Sequence, residues 1–220
     1  GVTAQQYAEH LDENLHDLHE RLRSGRDQAT PVERVWIEKE DGTQRPIGKP
    51  TFEDTMVQRA GAMLLEAGDE HDCSAGSYGV RQGRSPHEAL HELRERGMRD
   101  PIGWIVEADV RGDCDSIDRT RLRDVRRQRV NDGSRLRLIG QWLRAGVMED
   151  AIRSSPETGV VHGGVIAPVL ATRVLHQVLD EGGEQAVQPR MQGRCVVMRC
   201  ADACVRGGES AADARRMMDV

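Results

Sequence analysis

Large rings are nearly missing from this 220-residue chain. Aromatics make up 3% of it, and Phe52 is the single phenylalanine beside two tyrosines and three tryptophans. Rings dominate burial in most domains, so the expected core is aliphatic. Lysine is as scarce: Lys39 and Lys49 are the only two among 31 basic residues. Arginine makes bidentate contacts to phosphate that lysine cannot, although a GC-rich coding sequence produces the same bias. No apolar run approaches the roughly 18 residues of a membrane span, so no membrane segment is expected. The first residues show no basic stretch followed by an apolar one, and a signal peptide is not expected; the cytoplasm is the expected location. Five cysteines, Cys73, Cys114, Cys195, Cys200 and Cys204, are an odd set without a disulfide-framework pattern and suit a reducing compartment. A net charge of −6 counts against a generally basic nucleic-acid binder. The length fits one large domain or two small ones packed together.

What is present reads as alternating helices and strands. Thr3 with Gln6 forms a capping box, and Tyr7, Leu11, Leu15, Leu18 and Leu22 follow at helical spacing up to Gly25. Asp41-Gly42 between two extended runs predicts a β-hairpin. A helix is expected from about Glu53 to Glu66. Another starts at Ser85-Pro86-His87-Glu88, an N-cap, a first-turn proline and a closing glutamate, and ends near Gly97. Trp104–Val110 reads as a buried strand. Helices are expected around 119–129 and 134–145, then a short strand pair within 147–161 and an apolar helix from Gly164 to Leu179. The runs 194–200 and 204–206 flank a tight turn at Ala201-Asp202-Ala203, and a last helix begins near Glu209.

Six stretches carry a family resemblance. They are Lys39-Glu-Asp-Gly-Thr-Gln-Arg45-Pro-Ile-Gly48-Lys-Pro50, Tyr78-Gly-Val-Arg81-Gln-Gly83-Arg84-Ser85, Glu107-Ala-Asp109-Val110-Arg111-Gly112 with Asp115-Ser-Ile-Asp118, Gln141-Trp-Leu with Ala145-Gly-Val-Met148, Gly163-Gly-Val-Ile-Ala-Pro168 with Leu175-His176, and Arg199-Cys-Ala-Asp202-Ala203. In order and spacing they resemble the group II intron-type reverse transcriptases. The resemblance implies an α/β (α+β) fingers–palm fold, with fingers over 1–100 and a palm over 101–220 whose antiparallel sheet is backed by helices. It places the thumb, maturase and endonuclease regions outside this sequence. It implies an RNA-directed DNA polymerase with a maturase role in RNA splicing, using Mg²⁺, deoxynucleoside triphosphates, an RNA template or intron RNA and a DNA primer.

Polymerase palms hold two divalent ions about 4 Å apart on carboxylates that meet from separate strands, and the ions stabilise charge on the transferred phosphate. The resemblance implies Asp109 and Asp202 as the catalytic ligands, with the Val110 carbonyl as a further one. Read alone, each aspartate is equally a strand-end or turn residue. By resemblance Lys39 and Arg45, on opposite strands of the hairpin, reach the triphosphate, where a lysine point charge and an arginine fork suit the task; read alone, they are surface charges. Arg111, Cys114, His162 and Gly163 fall at nucleotide contacts. Arg81 and Arg84 lie in a turn before a helix N-terminus, a natural place for nucleic-acid phosphate, or they cap neighbouring carbonyls.

The match departs from the family at the chemistry. Ala203 replaces a second carboxylate, Cys200 a tyrosine, Asp113-Cys114 a Phe-Phe pair, and Val160-Val161-His162-Gly163 a Thr-Pro-Gln-Gly. Alanine offers no ligand, Cys114 is too small to screen the sugar, and Asp113 is expected to repel a triphosphate rather than to stand in as a makeshift ligand. The alternative expectation is therefore an inactive relic or RNA-binding remnant. A metal or redox module on Cys195, Cys200 and Cys204 ranks last, since C-x4-C-x3-C is not a zinc-knuckle spacing and free cysteines behave as small hydrophobes.

Overall fold

A computed structural model describes residues 2–110, 117, 120, 122, 124, 132–149, 152–154 and 163–218. The chain divides into two compact units, each built from two stretches: Gly1–Leu64 with Cys114–Ala167, and Leu65–Asp113 with Pro168–Val220. The expected fingers and palm are regions named by resemblance, and this partition by contacts cuts across them.

The first unit opens with α1 (Ala4–Ala8), capped by Thr3 in a reciprocal box with Gln6. The single helix expected over 3–22 is broken here, and α2 runs from Leu11 to Ser24. Asn14 explains the break: its side-chain amide donates to the Tyr7 carbonyl at 3.0 Å, replacing the next helical bond. Gly25 ends α2 at φ 73°, a left-handed conformation that glycine takes without penalty. Strands β1 (Val32–Glu38) and β2 (Gln44–Lys49) pair antiparallel with Ile37 opposite Arg45. Lys39, expected on a strand, is instead the first residue of the turn after Glu38, donating its N–H to the Thr43 carbonyl at 2.8 Å. Helix α3 spans Phe52–Asp69, and after α4 (Pro86–Arg99) and β3 (Trp104–Asp109) of the second unit, α5 spans Gly133–Arg144.

The expected strand pair is β4 (Val147–Glu149) and β5 (Ile152–Ser154). It extends the hairpin into a four-stranded sheet in the order β2-β1-β4-β5, with β1 and β4 parallel. Val32 and Val147, opposite each other in that parallel pair, are both buried. Across the seam Trp36 donates its indole N–H to Glu149 at 2.9 Å.

The second unit holds α4 (Pro86–Arg99), which starts at Ser85 as expected. It runs through Gly97 to a cap at Asp100, just before Pro101. Strand β3 (Trp104–Asp109) pairs with β7 (Ala203–Gly208), and β7 with β6 (Cys195–Cys200), all antiparallel. The expected apolar helix begins as α6 (Ala167–Leu175) and continues through π-type turns over 176–181 and 183–187 to a short 3₁₀ turn at 188–190. It is therefore longer than the apolar run alone suggests. Helix α7 (Ala211–Met218) closes the described chain.

Alternation along the strands sorts the palm sheet into two faces. Val196 and Met198 of β6 pack with Tyr78 against Ala89 and Leu93 of α4. On the other face Arg206 of β7 donates to the Met217 carbonyl of α7 at 3.2 Å. Strand β3 corrects the expectation of a buried strand. Trp104 and Ile105 are 53% and 64% exposed, because β3 is the edge strand and pairs only with β7. An apolar run does not say whether anything covers it.

The core is aliphatic, as the composition predicts. Tyr7 and Tyr78 are the buried rings among the described residues, and the second unit buries Arg173, Arg199, Arg206, Asp180 and Asp213 instead. Among the described residues no helix is long and apolar enough to cross a membrane.

Candidate active site

The sequence-predicted site residues fall into both units. Arg111, Cys114 and His162 lie outside the described residues.

In the second unit, β-pairing brings Asp109 and Asp202 to one end of one sheet. Asp109 is the last residue of β3, directly opposite Ala203. The Val110 N–H donates to the Asp202 carbonyl at 3.2 Å, tying the strand end to the turn. Cys200 and Ala203 pair across the hairpin, so the turn is Ala201-Asp202 alone, one residue tighter than expected. Ala201 takes φ 56°, the positive first turn residue that two-residue hairpins with the right twist require. Paired residues share a face, so Cys200, Ala203 and Asp109 form one row across the three strands. Asp109, Asp202 and Ala203 are all exposed.

That row decides how a divalent ion is accommodated. Asp109 stands at the end of β3 and Asp202 in the adjoining turn, and beside Asp109 the neighbouring strand presents the methyl group of Ala203. Among the described residues no three His, Cys, Asp or Glu side chains gather to hold a metal ion. Asp109 and Asp202 are the described side chains here that would hold a divalent ion.

The Tyr78-Gly79 stretch lies against the same turn. It runs beside β6 as a short extra strand: Arg199 donates its N–H to the Gly76 carbonyl, and Tyr78 donates to the Arg199 carbonyl, each at 2.8 Å. A Cβ on Gly79 would collide with the backbone of Ala201, so only glycine allows this approach. Val80 follows at φ 56°, which is strained for a β-branched residue.

Arg81 and Arg84 part company here. Arg81 donates to the carbonyls of Ser74 and Ser77, both at 2.7 Å, and grips Glu70 in a fork at 3.0 and 2.6 Å. Its side chain is 7% exposed, so it caps neighbouring carbonyls and spends four of its five donors within the fold. The Arg81 hydrogen bonds hold the Glu70 carboxyl below the ordinary range. Arg84 is exposed and stacks over the Tyr78 ring at 5.0 Å, leaving its guanidinium edges toward solvent.

In the first unit, Gly163 lies against β2. It takes φ 95°, and a Cβ there would strike the Ile47 side chain and the Gly48 carbonyl. Gly163 and the Arg45-Pro-Ile-Gly48 run are thus neighbours, as the motif order alone does not reveal. Arg45 and Lys39 are exposed on the strand and turn of the hairpin.

Beneath the Asp202 turn is a buried network that sequence reasoning missed. The Arg199 side chain is 0% exposed and that of Asp180 4%. Arg199 donates to both Asp180 oxygens at 2.8 and 2.7 Å, to the Ser77 hydroxyl at 2.8 Å and to the Ala201 carbonyl at 3.0 Å. His176 Nδ1 is 3.1 Å from the second Asp180 oxygen. Burial pushes the Asp180 carboxyl up, but the hydrogen bonds from Arg199 and His176 outweigh it and hold the group below its ordinary range. A signal was available: His176 and Asp180 stand four apart, on one helical face.

Among the described residues the cysteines do not assemble: Cys73, Cys195, Cys200 and Cys204 are free thiols, Cys204 is buried, and burial pushes the Cys73 and Cys195 thiols up.

No family model matches the chain. Protein YkfC of Escherichia coli K12 is 32% identical over 180 residues, 80% of this chain and 47% of YkfC. The group II intron-encoded protein LtrA of Lactococcus lactis subsp. cremoris is 32% identical over 170 residues, 76% of this chain and 28% of LtrA. The chain thus spans less than half the length of either relative. The fold resembles a telomerase from Candida albicans solved with a fragment of telomeric RNA, with a TM-score of 0.64 at 10% identity, over 90% of this chain and 40% of that one. It also resembles a chain of a partial Cas6-RT-Cas1–Cas2 complex, with a TM-score of 0.50 at 18% identity, over 90% of this chain and 33% of that one. Over most of its length this chain is thus similar in sequence to a group II intron-encoded protein, and its fold resembles those of the telomerase and Cas6-RT chains.

Proposed function

We propose that this chain is the fingers-and-palm portion of an RNA-directed DNA polymerase of a group II intron-type retroelement, acting in the cytoplasm, with a maturase role toward intron RNA. The observation that carries this reading is the juncture of Asp109 and Asp202 at the end of the palm sheet, joined through the Val110–Asp202 hydrogen bond. In this reading the two aspartates are the acidic pair at the growing primer end, and Val110 supplies its carbonyl beside them. Lys39, Arg45 and Gly163 of the first unit, with Arg111, Cys114 and His162, serve the incoming nucleotide. Arg84 contacts nucleic acid, stacked on Tyr78 with its donors outward; Arg81 has a capping role instead. The RNA template, DNA primer and deoxynucleoside triphosphate are the proposed partners, and Mg²⁺ the proposed ion.

One observation favours a second reading, an RNA-binding remnant that retains the fold without catalysis: Ala203 places a methyl group directly opposite Asp109. Primer extension on an RNA template with Mg²⁺ or Mn²⁺ separates the two. Incorporation that disappears in Asp109→Ala supports the polymerase. Salt-sensitive RNA binding with no incorporation refutes it and supports the remnant.

A further inference from the structure

Arg199 lies on the face of the palm sheet opposite Asp109, since it alternates with Cys200 along β6. From there its guanidinium reaches three separate parts of the second unit. Asp180 belongs to the π-type extension of α6, Ser77 to the strand-like stretch beside β6, and Ala201 to the turn that carries Asp202. A bond to the Ala201 carbonyl fixes a turn residue already in the left-handed region, where an L-residue is held only by its surroundings. The Asp202 carbonyl at the far side of the same turn receives the Val110 N–H, next to Asp109. The chain of contacts Asp180–Arg199–Ala201–Asp202–Val110 therefore joins the buried ion pair to both aspartates of the site. Ser77, 0% exposed, braces the guanidinium from the side where Gly79 meets the turn.

We propose that Arg199, held by Asp180 and braced by Ser77, is a positioning residue that sets the Asp202 turn against the end of β3. Its consequence for nucleotide addition rests on the polymerase reading; its hold on the turn does not. Lysine cannot reproduce it, because a single ammonium lacks the planar fork that meets four acceptors at once.

The test is amide hydrogen exchange on the full chain, comparing Arg199→Lys and the milder Ser77→Ala with the parent. The expected result is exchange at the Val110 amide faster by about tenfold in Arg199→Lys and by less in Ser77→Ala, with the Val196–Met198 stretch of β6 unchanged. An unchanged Val110 amide overturns the proposal, as does acceleration spread evenly over β6 and β7, which marks a merely structural role. Primer extension adds the functional arm: Arg199→Lys lowers kcat while KM for the nucleotide stays at the parent value. A rise in KM alone contradicts positioning. A parent no faster than Asp109→Ala refutes the polymerase reading, and the Val110 exchange still decides whether Arg199 holds the turn.

Discussion

Replacing Asp180 by alanine removes the acceptor for both Nε and one Nη of Arg199, and the partner of the His176 Nδ1, at contacts of 2.7 to 3.1 Å. Arg199 then retains only the Ser77 hydroxyl and the Ala201 carbonyl, with its side chain still 0% exposed. Breaking a buried ion pair by deleting one partner costs about 3–5 kcal/mol, a large share of the roughly 5–15 kcal/mol that keeps a domain folded. With a urea dependence of about 1–3 kcal/mol per molar, the midpoint of unfolding falls by about 1–5 M. Asp180→Asn keeps an acceptor and the shape, so its loss is smaller.

The effect also depends on pH with a definite sign. The folded Asp180 carboxyl titrates below its ordinary value, so its contribution is fully present above the unfolded value of about 4. It is lost as pH falls through the lower folded value. The stability gap between parent and Asp180→Ala is therefore constant at neutral pH and closes only below about pH 4. Urea titrations at pH 7 and at acid pH check this. A gap under about 1 kcal/mol at pH 7, or one that widens with acid, refutes the reasoning.

Gly163→Ala forces a side chain into the Ile47–Gly48 contact at a positive φ, and thermal unfolding should show a loss of about 1–3 kcal/mol. Arg81→Ala strands two carbonyls and Glu70, destabilising the fold by about 2–4 kcal/mol in the same assay. Arg84→Ala leaves stability within about 1 kcal/mol, while the salt slope of RNA binding falls by about one. Ala203→Asp places a carboxylate directly opposite Asp109, which costs roughly 0.2–1 kcal/mol without metal. Mn²⁺ should then raise the melting temperature of this variant by more than that of the parent.

Local signals set much of what was legible in advance. The Thr3–Gln6 box, the Ser85-Pro86 start, the Asp41-Gly42 turn and the tight turn at Asp202 act through contacts only a few residues apart, so their chemistry is written in neighbouring letters. The same holds for the aliphatic core and for the motif order that marks the family. Tertiary structure alone decided the rest. Whether β3 is covered depends on what packs against it, not on Trp104 or Ile105. The role of Arg81 turned on where the Ser74 and Ser77 carbonyls lie. Arg199 and Asp180 meet only because a π-turned helix and a strand, 19 residues apart in their contact, are folded onto each other. Long-range pairing of this kind has no period and no adjacent partner in the sequence, which is why the two aspartates were legible as letters while the buried pair beneath one of them was not.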